Sequence, residues 1–128
     1  MDRARIVLAD DHKDLLACVT ALLALEFDVV DAVGNGEALF ESARKHDPDA
    51  VVLDITMPIQ SGLEAARRLV EAGLRAKIVF LTVHQDKDFV QAALDLGAHG
   101  YVVKSRLPLD LAPALRAALA GRRFVSEL

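Results

Sequence analysis

Two alternating hydrophobic patterns constrain the fold of this chain more than any other feature. Short runs rich in valine, isoleucine, leucine and phenylalanine occupy residues 5–9, 27–32, 50–53, 77–81 and 100–103. Each run is followed by a segment whose apolar residues recur three and four positions apart. The runs predict strands, and the spaced segments predict helices. Because uninterrupted apolar strands belong in a parallel sheet covered on both faces, we predict an α/β fold with a doubly wound, five-stranded parallel sheet.

Composition excludes several classes of protein. A chain of 128 residues of which 53% are hydrophobic is expected to form one ordered domain rather than a disordered segment. We expect no transmembrane helix, no secretory signal and no membrane association, and therefore a cytoplasmic protein. The single cysteine, Cys18, excludes an internal disulfide, and its helical spacing from Leu15 and Leu22 predicts a position in the core.

Charge is distributed unevenly along the chain. Residues 1–64 carry 5 basic and 13 acidic side chains, whereas residues 65–128 carry 10 basic and 6 acidic ones. This pattern lacks the even basic surface that grips nucleic acid, so the segment by itself is a poor DNA-binding candidate. The concentration of acids in the first half suggests a bound cation.

Polar residues stand at the carboxyl ends of four predicted strands. They are Asp10 and Asp11 after the first strand, Asp54 after the third, Thr82 after the fourth and Lys104 after the fifth. Each alone could be a helix cap, a turn residue or a surface charge. Together they favour one site, because ligands of such sheets bind beyond the carboxyl ends of the strands. Carboxylates suit Mg²⁺, and a carboxylate that attacks phosphorus forms an acyl phosphate, whose oxygens a threonine and a lysine could hold.

Four motifs at these strand ends resemble the receiver domain of two-component response regulators. They are IVLADDH at residues 6–12, LDITMP at 53–58 with Gly62 following, FLT at 80–82 and GAHGYVVK at 97–104. The resemblance covers residues 4–121. It implies the flavodoxin-like strand order 2-1-3-4-5, and a phosphorylation-controlled switch that catalyses only its own phosphorylation and dephosphorylation.

The same resemblance implies a metal site for Mg²⁺ or Mn²⁺. Asp54 would accept the phosphoryl group from a partner sensor histidine kinase and would also contact the metal. Asp11 would be a direct ligand, Asp10 would act through water, and the Thr56 backbone carbonyl would be a further ligand.

Further residues are expected to act in switching and to set the lifetime of the phosphoryl group. Thr82 and Lys104 would contact the phosphoryl oxygens. Thr82 and Tyr101 would form the switch: the phosphoryl group draws the Thr82 hydroxyl inward, and Tyr101 swings into the space left behind. This would change the surface of helix four, strand five and helix five and the self-association of the chain. Thr56 and His84 flank the path of attacking water and would tune the lifetime.

The chain also resembles the subclass whose receiver precedes a helix-turn-helix domain. The resemblance rests on Asp11-His12, on the Gly-His-Gly-Tyr run and on residues 121–126. We therefore predict a receiver domain over residues 1–121, with residues 122–128 as the start of a linker or a C-terminal tail. Truncation at a linker is favoured over a stand-alone receiver. DNA would be contacted only through an output domain absent from this chain, and the output would be transcription.

Three alternative functions remain. A Mg²⁺-dependent phosphohydrolase of the haloacid dehalogenase type needs a second acid two residues after the nucleophile, but those positions hold His12 and Thr56. A flavodoxin needs a Ser/Thr-Gly phosphate loop after strand one, where Asp10 and Asp11 would repel the phosphate. A receiver-like interaction module without phosphorylation is disfavoured by the complete set of polar residues.

The fifth helix contains a proline where the helix should already be running. Pro113 has no N–H to donate to the carbonyl of Leu109, and its ring crowds that carbonyl. The sequence therefore predicts that helix five is distorted before Pro113 or begins at it.

Overall fold

A computed structural model describes residues 3–128 of the chain. The strands are β1 (Arg5–Ala9), β2 (Asp28–Val33), β3 (Ala50–Leu53), β4 (Lys77–Thr82), β5 (Gly100–Val103) and β6 (Phe124–Val125). The helices are α1 (Lys13–Leu23), α2 (Gly36–His46), α3 (Gly62–Glu71), α4 (Lys87–Asp95) and α5 (Leu107–Leu119), with a 3-10 turn at Lys104–Arg106. Within residues 3–128, no helix is both long and apolar enough to cross a membrane.

The strands form one sheet in the order β2-β1-β3-β4-β5-β6, and every neighbouring pair is parallel. Alternate strand residues face opposite sides: Ile6 and Leu8 pack in the core beneath α1 and α5, whereas Val7 and Ala9 pack in the core beneath α2, α3 and α4. The predicted doubly wound fold and the strand order of the first five strands are therefore confirmed. The structure adds a sixth, two-residue strand at the edge.

Helix α1 places its cysteine outside the core. Cys18 is exposed, whereas Val19 and Leu23 are buried against the sheet. Positions 19 and 23 lie one helical turn apart on the same face, and position 18 lies about 100° around the helix from 19. The prediction of a core cysteine is wrong. Leu15 and Leu22, the apolar residues at helical spacing from Cys18, lie at the edge of the buried face and are only partly buried.

Helix α5 runs through its internal proline. The helix begins at Leu107, has Pro108 in its first turn and continues past Pro113 to Leu119. Pro108 is favoured there because N–H groups in the first turn have no acceptor within the helix, so proline loses no hydrogen bond. Leu109 lies on the exposed side of the helix, where water can bond the carbonyl that Pro113 leaves without a donor. The predicted start at Pro113 is therefore wrong; a distortion before Pro113 stays a prediction.

The segment after α5 is attached to the sheet. Phe124 and Val125 extend the sheet beside β5. The side chain of the following residue, Ser126, is buried: its hydroxyl accepts from the Val103 N–H at 3.2 Å and donates to Asp110 Oδ2 at 2.7 Å. Arg106 donates to the same Asp110 carboxylate at 2.8 Å. Residues 124–126 are thus packed against β5, while the predicted domain boundary at residue 121 stays a prediction.

The buried hydroxyl of Ser126 should contribute measurably to stability. Ser126→Ala removes both of its hydrogen bonds and leaves the Val103 N–H buried without a partner, so the free energy of unfolding should fall by about 1–3 kcal/mol. Urea unfolding followed by circular dichroism measures the change. The control is Ser105→Ala at an exposed position, which should change it by less than about 0.5 kcal/mol. Equal effects of the two substitutions would contradict this account of β6.

Candidate functional site

The parallel register places two aspartates side by side at the carboxyl edge of the sheet. Ala9 of β1 is the partner of Leu53 of β3, so Asp10 and Asp54, one position further along each strand, are neighbours. The Asp54 N–H donates to the Ala9 carbonyl at 3.1 Å, which continues the ladder to this point. Both aspartates are only 4% exposed. Two carboxylates buried in this way need a cation or hydrogen-bond donors.

Lys104 supplies the positive charge. It is the first residue after β5, and its Nζ lies 2.8 Å from Asp10 Oδ2 and 2.9 Å from Asp54 Oδ2. The contact with Asp54 is a hydrogen bond. The contact with Asp10 is an ion pair, so the Lys104 ammonium is the partner of the buried Asp10 Oδ2. The ammonium group therefore bridges the two carboxylates.

The electrostatics of this bridge keep Asp10 and Lys104 ionised. Burial by itself raises the pKa of Asp10, but the neighbouring Lys104 ammonium and the hydrogen bonds from His12 outweigh it and hold that pKa below its ordinary value. Burial lowers the pKa of Lys104, but its contacts with Asp10 and Asp54 outweigh it and raise that pKa above the ordinary value. Both groups are charged at neutral pH.

The loop after β3 fixes the orientation of the Asp54 carboxylate. Its Oδ1 accepts a hydrogen bond from the Ile55 N–H at 2.7 Å, while Lys104 donates to Oδ2. Gly62 closes this loop, since its N–H donates to the Ile55 carbonyl at 2.7 Å. A Cβ at position 62 would stand 1.8 Å from the Asp54 carbonyl oxygen, so only glycine fits there. The Asp54 carboxylate is thereby held by two donors on a tightly packed loop.

Asp10 and Asp11 form an acidic edge at the end of β1, and His12 contacts both of them. The His12 N–H donates to Asp10 Oδ1 at 2.9 Å. The His12 Nδ1 lies 2.9 Å from Asp10 Oδ1 and 3.2 Å from Asp11 Oδ1. These three residues offer ligand atoms close enough to hold one metal ion, whereas Asp54 is connected to them through Lys104. The carboxylate oxygens of Asp10 and Asp11 fit a hard divalent cation such as Mg²⁺ or Mn²⁺. The sequence interpretation gave His12 no place in this site.

His84 connects the remaining predicted residues. Its Nε2 lies 2.8 Å from the Thr56 hydroxyl, and its ring stacks on Phe89 of α4 with centroids 4.5 Å apart. Its backbone N–H lies 3.4 Å from the Thr82 hydroxyl, and its carbonyl accepts from the Tyr101 hydroxyl at 2.8 Å. The sequence singled out Thr56 and His84 separately, but nothing in their spacing showed that their side chains meet.

Tyr101 already occupies an inward position. Its side chain is fully buried beside Phe80, with ring centroids 6.3 Å apart. Burial, with smaller contributions from the charges of Asp86 and Asp54, raises the pKa of the Tyr101 phenol to about 12. The phenol is therefore protonated at neutral pH and able to donate its hydrogen bond. The inward position that the switch hypothesis assigns to the phosphorylated state is thus present in this structure.

Comparisons with known proteins agree with this geometry. Residues 6–116 match the family described as the response regulator receiver domain. The nitrate/nitrite response regulator protein NarL of Escherichia coli is 40% identical over 126 residues, 97% of this chain and 58% of NarL. The uncharacterized transcriptional regulatory protein YvfU of Bacillus subtilis is 36% identical over 124 residues, 95% of this chain and 62% of YvfU. The chain thus spans about six-tenths of the length of these curated relatives.

Solved structures give the same result. A LuxR-family two-component response regulator from Aurantimonas sp. SI85-9A1 superposes with a TM-score of 0.91 at 36% identity, over 96% of this chain and 89% of that chain. The isolated receiver domain of RcsB from Salmonella enterica superposes with a TM-score of 0.90 at 27% identity, over 98% of this chain and 95% of that chain. The chain therefore belongs to the response regulator receiver domain family and is similar, in sequence and in structure, to the receivers of NarL- and LuxR-type transcriptional regulators.

Proposed function

We propose that this receiver accepts a phosphoryl group on Asp54 from the phosphohistidine of a sensor histidine kinase, in a reaction that requires Mg²⁺ or Mn²⁺. The observation that carries the proposal is the buried Asp54 carboxylate, which Lys104 and the Ile55 N–H hold in one orientation. A carboxylate fixed by two donors has its orientation settled before the reaction, and positioning is most of what phosphoryl transfer asks of a protein.

The transfer replaces one bond to phosphorus with another. An Asp54 carboxylate oxygen forms a bond to phosphorus, and the bond from phosphorus to the imidazole nitrogen of the kinase breaks with its electrons going to that nitrogen. The Lys104 ammonium and the Thr82 hydroxyl would donate to phosphoryl oxygens. A bound divalent cation, held by Asp10, Asp11, Asp54 and the Thr56 carbonyl, would neutralise charge on the phosphoryl group.

Phosphorylation of wild type and variants by acetyl phosphate tests the acceptor. Wild type with Mg²⁺ should gain the mass of one phosphoryl group, while wild type with chelator and Asp54→Asn should gain none. Asp11→Asn should be labelled about 10–100-fold more slowly, as for loss of a group that holds a metal. Intact-protein mass spectrometry measures the extent of labelling at set times.

The matched control is Asp95→Asn, which removes an acid at the exposed end of α4 and should be labelled like wild type. Labelling of Asp54→Asn at the wild-type level, or labelling that chelator leaves untouched, would contradict the proposed reaction. An unlabelled wild type would instead support an interaction module that takes no phosphate.

The switch would be a shift of population between the buried position of Tyr101 and an outward one. A phosphoryl group on Asp54 gives the Thr82 hydroxyl a new acceptor, and drawing that hydroxyl toward the phosphoryl group enlarges the space that Tyr101 fills. Tyr101 lies on β5, so its position bears on the surface of α4, β5 and α5. We place a phosphorylation-dependent homodimer contact on that surface, with the transcriptional output carried by a DNA-binding domain outside this chain.

Tyr101 reports its own movement, since the chain has one tyrosine and no tryptophan. After treatment with acetyl phosphate and Mg²⁺, acrylamide should quench wild-type tyrosine fluorescence less, and sedimentation velocity should show a larger assembly. Thr82→Ala should lose both changes, and Tyr101→Ala should lose the assembly. Asp54→Asn is the unphosphorylated control. A wild-type assembly shift that persists in Thr82→Ala and Tyr101→Ala would disprove this switch.

The Thr56–His84 hydrogen bond should lengthen the lifetime of the phosphoryl group. It joins the loop after β3 to the loop after β4 beside the acceptor, and its loss opens a path for water. Thr56→Ala, His84→Ala and the double variant should each hydrolyse about 2–10-fold faster, the range that corresponds to one hydrogen bond. Decay of the phosphorylated mass after removal of acetyl phosphate measures the rate.

A shared hydrogen bond predicts that the double variant is no faster than either single one. Gln91→Ala, which removes an exposed hydrogen bond on α4, is the control and should decay like wild type. Unchanged decay in the double variant would exclude a role for this pair.

A further inference from the structure

His12 occupies an unusual place for a histidine. It is the N-cap of α1, a position that favours serine, threonine, aspartate or asparagine because their side chains accept from the first helical N–H groups. The His12 side chain makes no capping hydrogen bond. Instead it turns back over the acidic edge, where it is 68% exposed and contacts both aspartates. The imidazole therefore contributes to the acidic edge rather than to the helix.

The His12 imidazole contacts carboxylate oxygens that a bound cation would otherwise contact. A single atom, Nδ1, lies 2.9 Å from Asp10 Oδ1 and 3.2 Å from Asp11 Oδ1. Both partners accept only, so Nδ1 carries the hydrogen in this arrangement. The imidazole N–H thereby satisfies one oxygen of each carboxylate that the proposed function assigns to the metal.

Asp10 contributes a buried carboxylate to this edge. It is 4% exposed, its Oδ2 pairs with the Lys104 ammonium at 2.8 Å, and its Oδ1 accepts from the His12 backbone N–H at 2.9 Å. A cation that binds these buried oxygens must therefore replace partners that already compensate them. On the side of Oδ1, the side-chain partner is the His12 imidazole.

We propose that His12 sets the metal preference of the site: it competes with Mg²⁺ for the oxygens of Asp10 and Asp11, and serves as a nitrogen ligand when a borderline cation such as Ni²⁺ binds. This inference rests on the proposed metal site. Mg²⁺ requires oxygen ligands, so its binding must displace the His12 N–H from them. Ni²⁺ binds imidazole well, and a shift of the imidazole hydrogen to Nε2 frees Nδ1 for the metal.

Two cations should therefore respond oppositely to loss of the imidazole. In His12→Ala, the dissociation constant for Mg²⁺ should fall about 2–10-fold, as for removal of one competing hydrogen bond. The dissociation constant for Ni²⁺ should rise about 10–100-fold. Isothermal titration calorimetry measures both, in a Cys18→Ser background because the exposed thiol is itself a metal ligand. Wild type with Ni²⁺ should also show a perturbed His12 imidazole resonance.

The controls separate this inference from the proposed function. His46→Ala removes a histidine at the end of α2, beside Ser42, and should leave both affinities unchanged. Asp11→Asn should weaken the binding of both Mg²⁺ and Ni²⁺. If Asp11→Asn binds Mg²⁺ like wild type, the proposed metal site itself is wrong. A second outcome concerns His12 alone. If Asp11→Asn weakens the binding of both cations, but His12→Ala changes the two dissociation constants in the same direction or changes neither, His12 does not set the metal preference.

Discussion

The ion pair between Lys104 and two buried aspartates supports the rest of the site. Asp10 and Asp54 are each 4% exposed, and Lys104 Nζ lies within 2.9 Å of an oxygen of each. Removing one partner of such a buried pair costs about 3–5 kcal/mol because an uncompensated charge is left behind. The parallel register of β1 and β3 makes the aspartates neighbours, and β5 delivers the lysine. The register of the sheet therefore brings the two carboxylates together, and the lysine compensates their charge.

The same lysine connects Asp54 to the C-terminal segment of the chain. Lys104 begins a 3-10 turn that ends at Arg106, and Arg106 pairs with the buried Asp110 of α5. Asp110 in turn accepts from Ser126, directly after the last strand. Lys104, which contacts Asp54, is thus the first residue of a turn to which the C-terminal segment is attached. In the loop after β4, His84 contacts Thr56, Tyr101 and Phe89.

Local sequence pattern predicted the sheet well and the helices less completely. Four strand ends with polar residues located the site because parallel strands place their carboxyl ends on one edge. Cys18 was assigned to the core because apolar neighbours at helical spacing do not show where the buried face ends. The sequence predicts that helix five is distorted before Pro113 or begins at it. The start at Pro113 is wrong, because packing of Leu111, Ala114 and Leu115 in the core holds the helix through the proline. Strand β6 was missed because two residues carry no periodicity.

The sequence by itself determined the βα alternation and the identity of the charged residues at the strand ends, because hydrophobic period and residue type are local properties of the chain. The order of the first five strands is not a local property, and it was implied by the resemblance of four motifs to a known family. Only the tertiary structure decided which of these residues touch. The bridge by Lys104, the Thr56–His84 contact and the turn of His12 toward Asp10 and Asp11 each depend on side-chain direction. Backbone register and packing set that direction, and spacing along the chain does not encode it.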